Sequence, residues 1–496
     1  MTDLRPAPTV DESATVRVRV ERRPVPRTDN LSAYLALAGR FGPEQVYLLE
    51  SAAGSATDRR YQFTGFGVLF SVSVTRSVVR IDGVPALREA VLRRVGPLLE
   101  AVDGGLRLRH PRDLWSVLRA VQATFRAKGS ASRFRFGFLG YFGYDAARYI
   151  EDLPYLIEQE PDLPDVHLVL YQGCLVTDLT TDESELLLYE SAAWPRLDPG
   201  EIVELLAAAG RSRPAPPTDV VPDACFDDDT DRAEFLDNVG RCLEHIGVGD
   251  IYQVQIGHEL TIHSPADPLE VYTRLRGRNA SPYLYLTSLC GHTVIGASPE
   301  LFVRVEDGTV IMRPIAGTIP RGDDDEAAAQ QLRSDPKEIA EHAMLVDLCR
   351  NDIGRICQQD TLAVPDRLVI ESYSHVLHLV STVVGRAEQD KDSYDIIAAL
   401  FPAGTMTGTP KIRAMEIIEN VENTRRGLYA GTLGLIDVGG YVNLALCIRT
   451  LIHRGGSYRT RASAGIVADS VSAREWTETL AKSSAAYWAV TGKELL

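Results

Sequence analysis

Four prolines, Pro214, Pro216, Pro217 and Pro222, fall within the stretch Arg211 to Asp229, which closes on an acidic cluster. A proline fixes its own φ and has no N–H to donate, so this stretch holds neither a helix interior nor a central strand. It divides the chain into an N-terminal region over 1–210, a linker over 211–229 and a second domain over 230–496. A length of 496 residues leaves room for more than one core.

On both sides of the linker the patterning reads as strands in runs. Val166 to Val176, and Leu186 to Tyr189 after the turn at Thr181/Asp182, are rich in Val, Leu and Tyr. Phe302 to Val305 and Val310 to Arg313 flank Glu306-Asp307-Gly308 as a hairpin does, and Gly439-Gly440 and Gly455-Gly456 punctuate a meander. Helical stretches at Leu31 to Arg40 and Leu114 to Lys128 alternate with the strands. Strands joined by tight turns favour mixed or antiparallel sheets packed with helices, so the expected fold class is α+β.

Composition narrows the partners. Fifty-two basic residues against sixty-eight acidic ones leave a net charge of −16, and no basic patch stands out, which excludes nucleic acid and anionic membrane. Met1 to Thr15 has no apolar core of signal-peptide length and no later run is long enough to span a bilayer, so a cytoplasmic protein is expected. The seven scattered cysteines include no C-x-x-C pair and fit neither a disulfide framework nor a thiolate zinc site.

Two helix starts share one pattern. Asp335-Pro336-Lys337-Glu338 offers a cap, a proline at the first helical position and a capping-box glutamate, with Glu341 three residues on. Ser472-Ala473-Arg474-Glu475 repeats it, with Glu478 following. Such glutamates serve as caps and solvated side chains, or, where the two helices converge, as an all-oxygen ligand set suited to Mg²⁺. Spacing alone leaves both readings open.

Further on, the stretch Phe401 to Ile418 places glycines and threonines before a helix start carrying Lys411 and Arg413, an arrangement suited to an anion, although Pro410 removes one N–H. Alternation over Val442 to Ile452, read as one strand, sends Arg449 from its more polar face, where a guanidinium can meet a carboxylate or a surface partner. His375 and His378 are candidates for proton transfer or for structural roles. No G-x-S-x-G elbow, zinc-spaced histidine cluster or strand-linked G-x-G-x-x-G is present.

The chain resembles the chorismate-utilising enzymes, and among them the large subunit of anthranilate synthase. The motifs are GDIYQVQ at Gly249 to Gln255, GASPELFVRVEDG at Gly296 to Gly308, PIAGTIPRG at Pro314 to Gly322, EHAMLVDLCRNDIGR at Glu341 to Arg355, and the closing run that contains Glu475, Glu478 and Lys482. The resemblance implies that Glu338, Glu341, Glu475 and Glu478 hold Mg²⁺ and, through it, the ring carboxylate of chorismate. It implies substrate contacts from Ala316, Gly317, Thr318, Tyr429, Arg449, Ala464, Gly465 and Lys482. It further implies that Thr405 lies by the ring carboxylate or its neighbourhood and that His378 and Glu300 serve proton transfer, and Gln253 stands where the resembling water-using enzymes carry a lysine, so ammonia is the expected nucleophile.

Ala316 replaces the lysine that C4-aminating relatives carry, so amination at C2 followed by pyruvate loss to anthranilate is the expected reaction. LLES, with Leu49, Glu50 and Ser51, and SPYLY, with Ser281, Pro282 and Tyr283, resemble the family's tryptophan site and imply inhibition by tryptophan. No cysteine has the setting of a glutaminase nucleophile, so ammonia is expected from a separate glutamine amidotransferase subunit, and an oligomer is expected. The chain departs from the family's S-G-A-P-K and Q-A-G-A-G at Thr409 and Ser463, which points to an alternative: an enzyme that stops at 2-amino-2-deoxyisochorismate. A subunit that senses ligand without turnover is disfavoured, because every implied ligand type is kept.

Overall fold

The structure, a computed structural model, describes residues 15–55, 57–103, 105–211, 223–322, 324–373 and 376–496; Thr318 is described in its backbone alone. Most of the linker, and His375, lie outside these residues.

The N-terminal elements that place the site are β1 (Val46–Glu50), β2 (Tyr61–Thr75), β3 (Gly137–Phe142), β4 (Val166–Asp178) and β5 (Cys225–Asp228). Then come α1 (Arg232–Gly247), β6 (Gln253–His263), α2 (Pro268–Arg278), β7 (Tyr283–Leu289), β8 (His292–Ser298), β9 (Leu301–Glu306), β10 (Thr309–Met312) and β11 (Ile315–Pro320). The chain ends with α3 (Pro336–Gly354), β12 (Val376–Arg386), β13 (Gly408–Thr409), α4 (Lys411–Val421), β14 (Thr432–Asp437), β15 (Val442–Leu446), β16 (Thr450–Arg454), β17 (Ser457–Ile466) and α5 (Ser472–Thr491).

Strand β4 is the branch point of an antiparallel sheet system. One of its edges carries β2 along its whole length, and the other carries β3 over Val166 to Leu170 and a neighbouring strand, Glu183–Glu190, beyond it. From β2 one arm runs through β1, β7, β8, β16 and β17 to β6. From β3 the other runs through β14, β15, β9 and β10 to β12, which β11 also borders. The α+β class holds, and the hairpin expected around Asp307 is β9–β10.

The strands pair across the proline-rich boundary, β1 with β7 and β3 with β14. One apolar core accordingly joins Phe70 and Phe138 to Phe302 and Leu433, and a second joins Leu31 and Leu48 to Tyr272 and Leu284. The division at 211–229 is thus a feature of the sequence that the sheet spans. Among the described residues no helix is long and apolar enough to cross a membrane.

Two short steps carry the chain directly from a strand of one arm to a strand of the other. It leaves β8 for β9 across Pro299 and Glu300, and leaves β15 for β16 across Cys447, Ile448 and Arg449. The steps are tied together: Leu446 N donates to the Glu300 carbonyl at 3.0 Å, and Ala297 N to the Arg449 carbonyl at 3.1 Å. The expected continuous strand from Val442 to Ile452 is therefore broken, with Arg449 in the left-handed region at φ 51°. The alternation is preserved on each side because both halves face a core, while the backbone turns between them.

The approach of β14 to β15 leaves no room for a side chain at Gly434, where a Cβ would lie 2.0 Å from the Asn443 carbonyl oxygen. Gly434→Ala is expected to cost about 1–3 kcal/mol through overpacking. Thermal denaturation measures it, and an unchanged midpoint would contradict this packing.

Candidate active site

Both steps between the arms deliver a chemical group. Glu300 is buried, and burial pushes its carboxyl up to about 8, against the opposing effects of the Thr405 hydroxyl, which donates to it at 3.2 Å, and of the Lys482 charge. Such a carboxyl keeps its proton at neutral pH and can act as an acid. At the other step Arg449 donates from Nη1 to the Lys482 carbonyl at 3.1 Å. Burial lowers its pKa, opposed by Tyr429 and the Glu478 carboxylate, and a guanidinium held this way is a natural partner for an anion.

The end of the first arm supplies amides. Gln253 is buried and its Oε1 has no hydrogen-bond partner among the described residues. Gln255 is two residues on and so shares its face of β6. The register sets Gln255 opposite Gly465, Ile256 opposite Ala464 and Gly257 opposite Ser463. A Cβ on Gly465 would lie 2.9 Å from Gln255 Nε2 and 3.1 Å from Gln253 Nε2, so the glycine lets both amides sit over the strand.

The end of the second arm supplies a base and a carboxylate. Gly317 has φ 81° at a break in register between buried Ala316 and Thr318, and Thr318 stands opposite His378. The His378 ring packs edge-on against Tyr373 at 5.0 Å. Burial holds its pKa down at about 4, helped by the Arg449 charge and opposed by a hydrogen bond with the Gly317 backbone. The imidazole is neutral at ordinary pH and able to accept a proton. A Cβ on Gly317 would lie 3.1 Å from Glu338 Oε2, so the glycine admits the first glutamate of α3 to this strand.

The two helix starts differ. Asp335 accepts the Glu338 N–H at 3.4 Å as a cap, and half-buried Glu341 follows one turn on. In α5 the cap position is Val471, with no side-chain cap, and Ser472 already lies inside the helix, so the capping box expected there does not form. A serine inside the first turn cannot present its hydroxyl to the N–H groups that a cap residue faces. Glu475 is buried, while exposed Glu478 pairs with Lys482 at 2.6 Å. Lys482 Nζ also donates to the Ser463 carbonyl at 2.9 Å, and the Tyr429 hydroxyl donates to Ser463 Oγ at 2.9 Å.

Glu300, Thr405, Lys482, Glu478, Arg449, Tyr429 and His378 are thereby linked through contacts or mutual charge effects. Glu338 joins them through Gly317.

Other expected anion contacts are spent on structure. Lys411 donates to Asp352 at 2.9 Å, and Arg413 pairs with Glu416 and Asp250. Sequence reasoning passed over a buried network in which Glu422 binds both Arg426 and Arg461, while Arg426 donates to the carbonyls of Met406 and Gln255. It ties β6, β17 and the Thr405 segment together. Only the four-residue spacing of Glu422 and Arg426 hinted at it, just as the two-residue spacing from Gln253 marked Gln255.

LLES and SPYLY come together on paired strands, with Tyr285 opposite Leu49 and Leu284 opposite Glu50. Leu49, Glu50, Pro282 and Tyr283 line a partly open cavity that also holds Asp58, Arg60, Arg304 and Glu306. The Glu50 carboxylate is turned towards α2, accepting from Tyr272 at 2.6 Å and from Arg276 at 2.8 and 2.9 Å. Ser281 donates to the Ala297 carbonyl, and buried Ser51 follows Glu50.

A family model described as chorismate binding enzyme matches residues 100–487. The chain is 66% identical over 486 residues to a 2-amino-4-deoxychorismate synthase of Streptomyces globisporus, covering 98% of this chain and 99% of that one. It is 37% identical to anthranilate synthase component 1 of Acinetobacter calcoaceticus, over 90% of each chain. The crystal structure of anthranilate synthase component I from Streptococcus pneumoniae TIGR4 superposes with a TM-score of 0.71 at 30% identity, covering 86% of this chain and 92% of that one.

The carboxylic acid band of Glu300 in infrared difference spectra is expected to vanish as pH rises through about 8, and to be missing in Glu300→Gln. Loss of the band near pH 4 instead would contradict the burial argument.

Proposed function

Since the chain belongs to the chorismate-binding enzymes, we propose that it aminates chorismate at C2 with ammonia and releases the product with its enolpyruvyl group still attached. Ammonia adds at C2, the ring double bonds shift, and the 4-hydroxyl leaves as water. The product carries nitrogen at C2 and no oxygen at C4. The name of the Streptomyces globisporus relative describes a compound of that constitution.

One observation carries the choice of product. Ser463 stands where the family resemblance implies glycine, and its Oγ accepts a hydrogen bond from the Tyr429 hydroxyl at 2.9 Å. Tyr429 is thereby drawn away from the substrate carboxylate it would otherwise hold. Pyruvate loss needs the enolpyruvyl group aligned with the departing C2 proton, and a misplacement of an ångström is costly to such a step. The second reading, release of anthranilate, is supported by the identity to anthranilate synthases and by the retained neutral His378.

In this reading Glu300 protonates the departing 4-hydroxyl, since hydroxide is a poor leaving group, and Thr405 orients that carboxyl. Gln253 and Gln255 present amides beside Gly465, with no basic group to activate water. Arg449 and Lys482 receive the carboxylates of chorismate.

Glu338, Glu341, Glu475 and Glu478 would hold Mg²⁺ through carboxylate oxygens, the donors that ion takes, and the place of Glu338 over Gly317, where a Cβ would intrude, fits a ligand directed at the substrate. The metal, when bound, neutralises charge that develops on the ring carboxylate. Ammonia comes from a separate glutamine amidotransferase. The cavity beside the paired strands β1 and β7, with charges of both signs and the rings of Tyr61, Phe63, Tyr283 and Tyr441, takes tryptophan as an inhibitor.

Purified protein given chorismate, Mg²⁺ and ammonium is expected to yield a non-aromatic amino diene, identified by mass and absorbance, with the rate falling as pH rises through about 8 because the Glu300 proton is lost. Ser463→Gly is expected to divert product towards fluorescent anthranilate. Anthranilate as the sole product of the unaltered protein would favour the second reading. Saturating tryptophan is expected to lower the rate, and calorimetry showing no tryptophan binding would remove the regulatory assignment.

A further inference from the structure

His258 lies on β6 one residue beyond Gly257, and strand alternation turns it to the face opposite Gln253 and Gln255. It is buried. Its Nδ1 lies 2.7 Å from Asp228 Oδ1 at the end of β5, and its Nε2 lies 2.7 Å from Thr479 Oγ1 on α5. Its ring stacks on Trp476 at 4.6 Å with 18° between planes, and Phe235 of α1 closes the group at 5.7 Å from His258 and 5.4 Å from Trp476. Thr479 is fully buried, and its hydroxyl also lies 2.8 Å from the Trp476 carbonyl. One imidazole therefore grips two residues in the turn of α5 that carries Glu475 and Glu478.

The helix needs such a grip, because its start has no side-chain cap. Asp228, Asp229 and His258 are close enough to suggest a second metal group. That reading is the weaker one: Nδ1 is bonded to Asp228, and Asp229 is paired with Arg461 at 3.1 Å and accepts from Thr424. A cation would have to displace these bonds.

We infer that Asp228, His258 and Thr479, with Trp476, are positioning residues that fix the rotation of α5 and so aim Glu475 and Glu478 at the metal. The inference rests on the magnesium reading above. Hydrogen-bonded partners of metal ligands typically change metal affinity by about 10–100-fold when lost, and a group that sets the rotation of a helix bearing two ligands acts on the same orientation.

The test is Mn²⁺ titration followed by electron paramagnetic resonance on the full chain with chorismate present, beside steady-state kinetics. Thr479→Val is expected to weaken Mn²⁺ binding by about 10–100-fold and to raise the Mg²⁺ concentration needed for half-maximal rate, leaving the rate at saturating metal near that of the unaltered protein. Thr479→Ser restores the hydroxyl and is expected to restore affinity. His258→Gln decides in the same way should Thr479→Val fail to fold.

Unchanged Mn²⁺ affinity in these variants, with affinity lost in Glu478→Gln, would overturn the positioning role alone. Equal affinity in Glu478→Gln and the unaltered protein would overturn the magnesium reading and this inference with it.

Discussion

The paired steps between the two sheet arms are the constraint on which the site depends. Two backbone hydrogen bonds, Leu446 N to the Glu300 carbonyl and Ala297 N to the Arg449 carbonyl, hold the steps against each other. They place an acid and a guanidinium on adjacent turns of backbone, beyond the reach of loop motion that would blur either. Sites carried on sheet elements keep tighter geometry than sites carried on free loops. The cost is the left-handed backbone of Arg449, a conformation that non-glycine residues adopt only when their surroundings demand it.

Burial within the site also sets the chemistry. The same loss of water raises the Glu300 carboxyl and lowers the His378 imidazole, so both groups are neutral at ordinary pH, one holding a proton and the other able to take one. Charge is supplied separately by Arg449 and Lys482. Had Glu300 formed an ion pair with either, its proton would have been lost and the acid with it. Lys482 is instead engaged by Glu478 and the Ser463 carbonyl, near enough to lower the Glu300 pKa but not to reverse its rise.

Local signals explain what the sequence made legible. The β9–β10 hairpin, the long strand β4 and the Asp335 cap each rest on turn residues, period-two patterning or capping within a few positions. The steps between the arms do not. Val442 to Ile452 keeps its alternation while the chain leaves one arm and joins the other, and nothing beside Arg449 marks its positive φ. Ser472 resembled a cap because its neighbours matched the pattern around Asp335, but Val471 takes that position. The resemblance to chorismate-utilising enzymes named Glu300 and His378, whereas the effect of burial on each needed the three-dimensional surroundings. The Glu422–Arg461 pair and the His258 group join residues far apart in sequence, which no local pattern records.

The choice between two products requires little free energy. After ammonia has added, the bound intermediate either dissociates or loses pyruvate, and the outcome follows the ratio of the two rates. A difference of about 1.4 kcal/mol between the two barriers shifts that ratio tenfold. A single net hydrogen bond is worth about 0.5–1.5 kcal/mol. On the proposed reading, moving the Tyr429 hydroxyl from a substrate carboxylate to Ser463 is therefore of the right size to redirect the reaction while sheet, acid and base stay as they are.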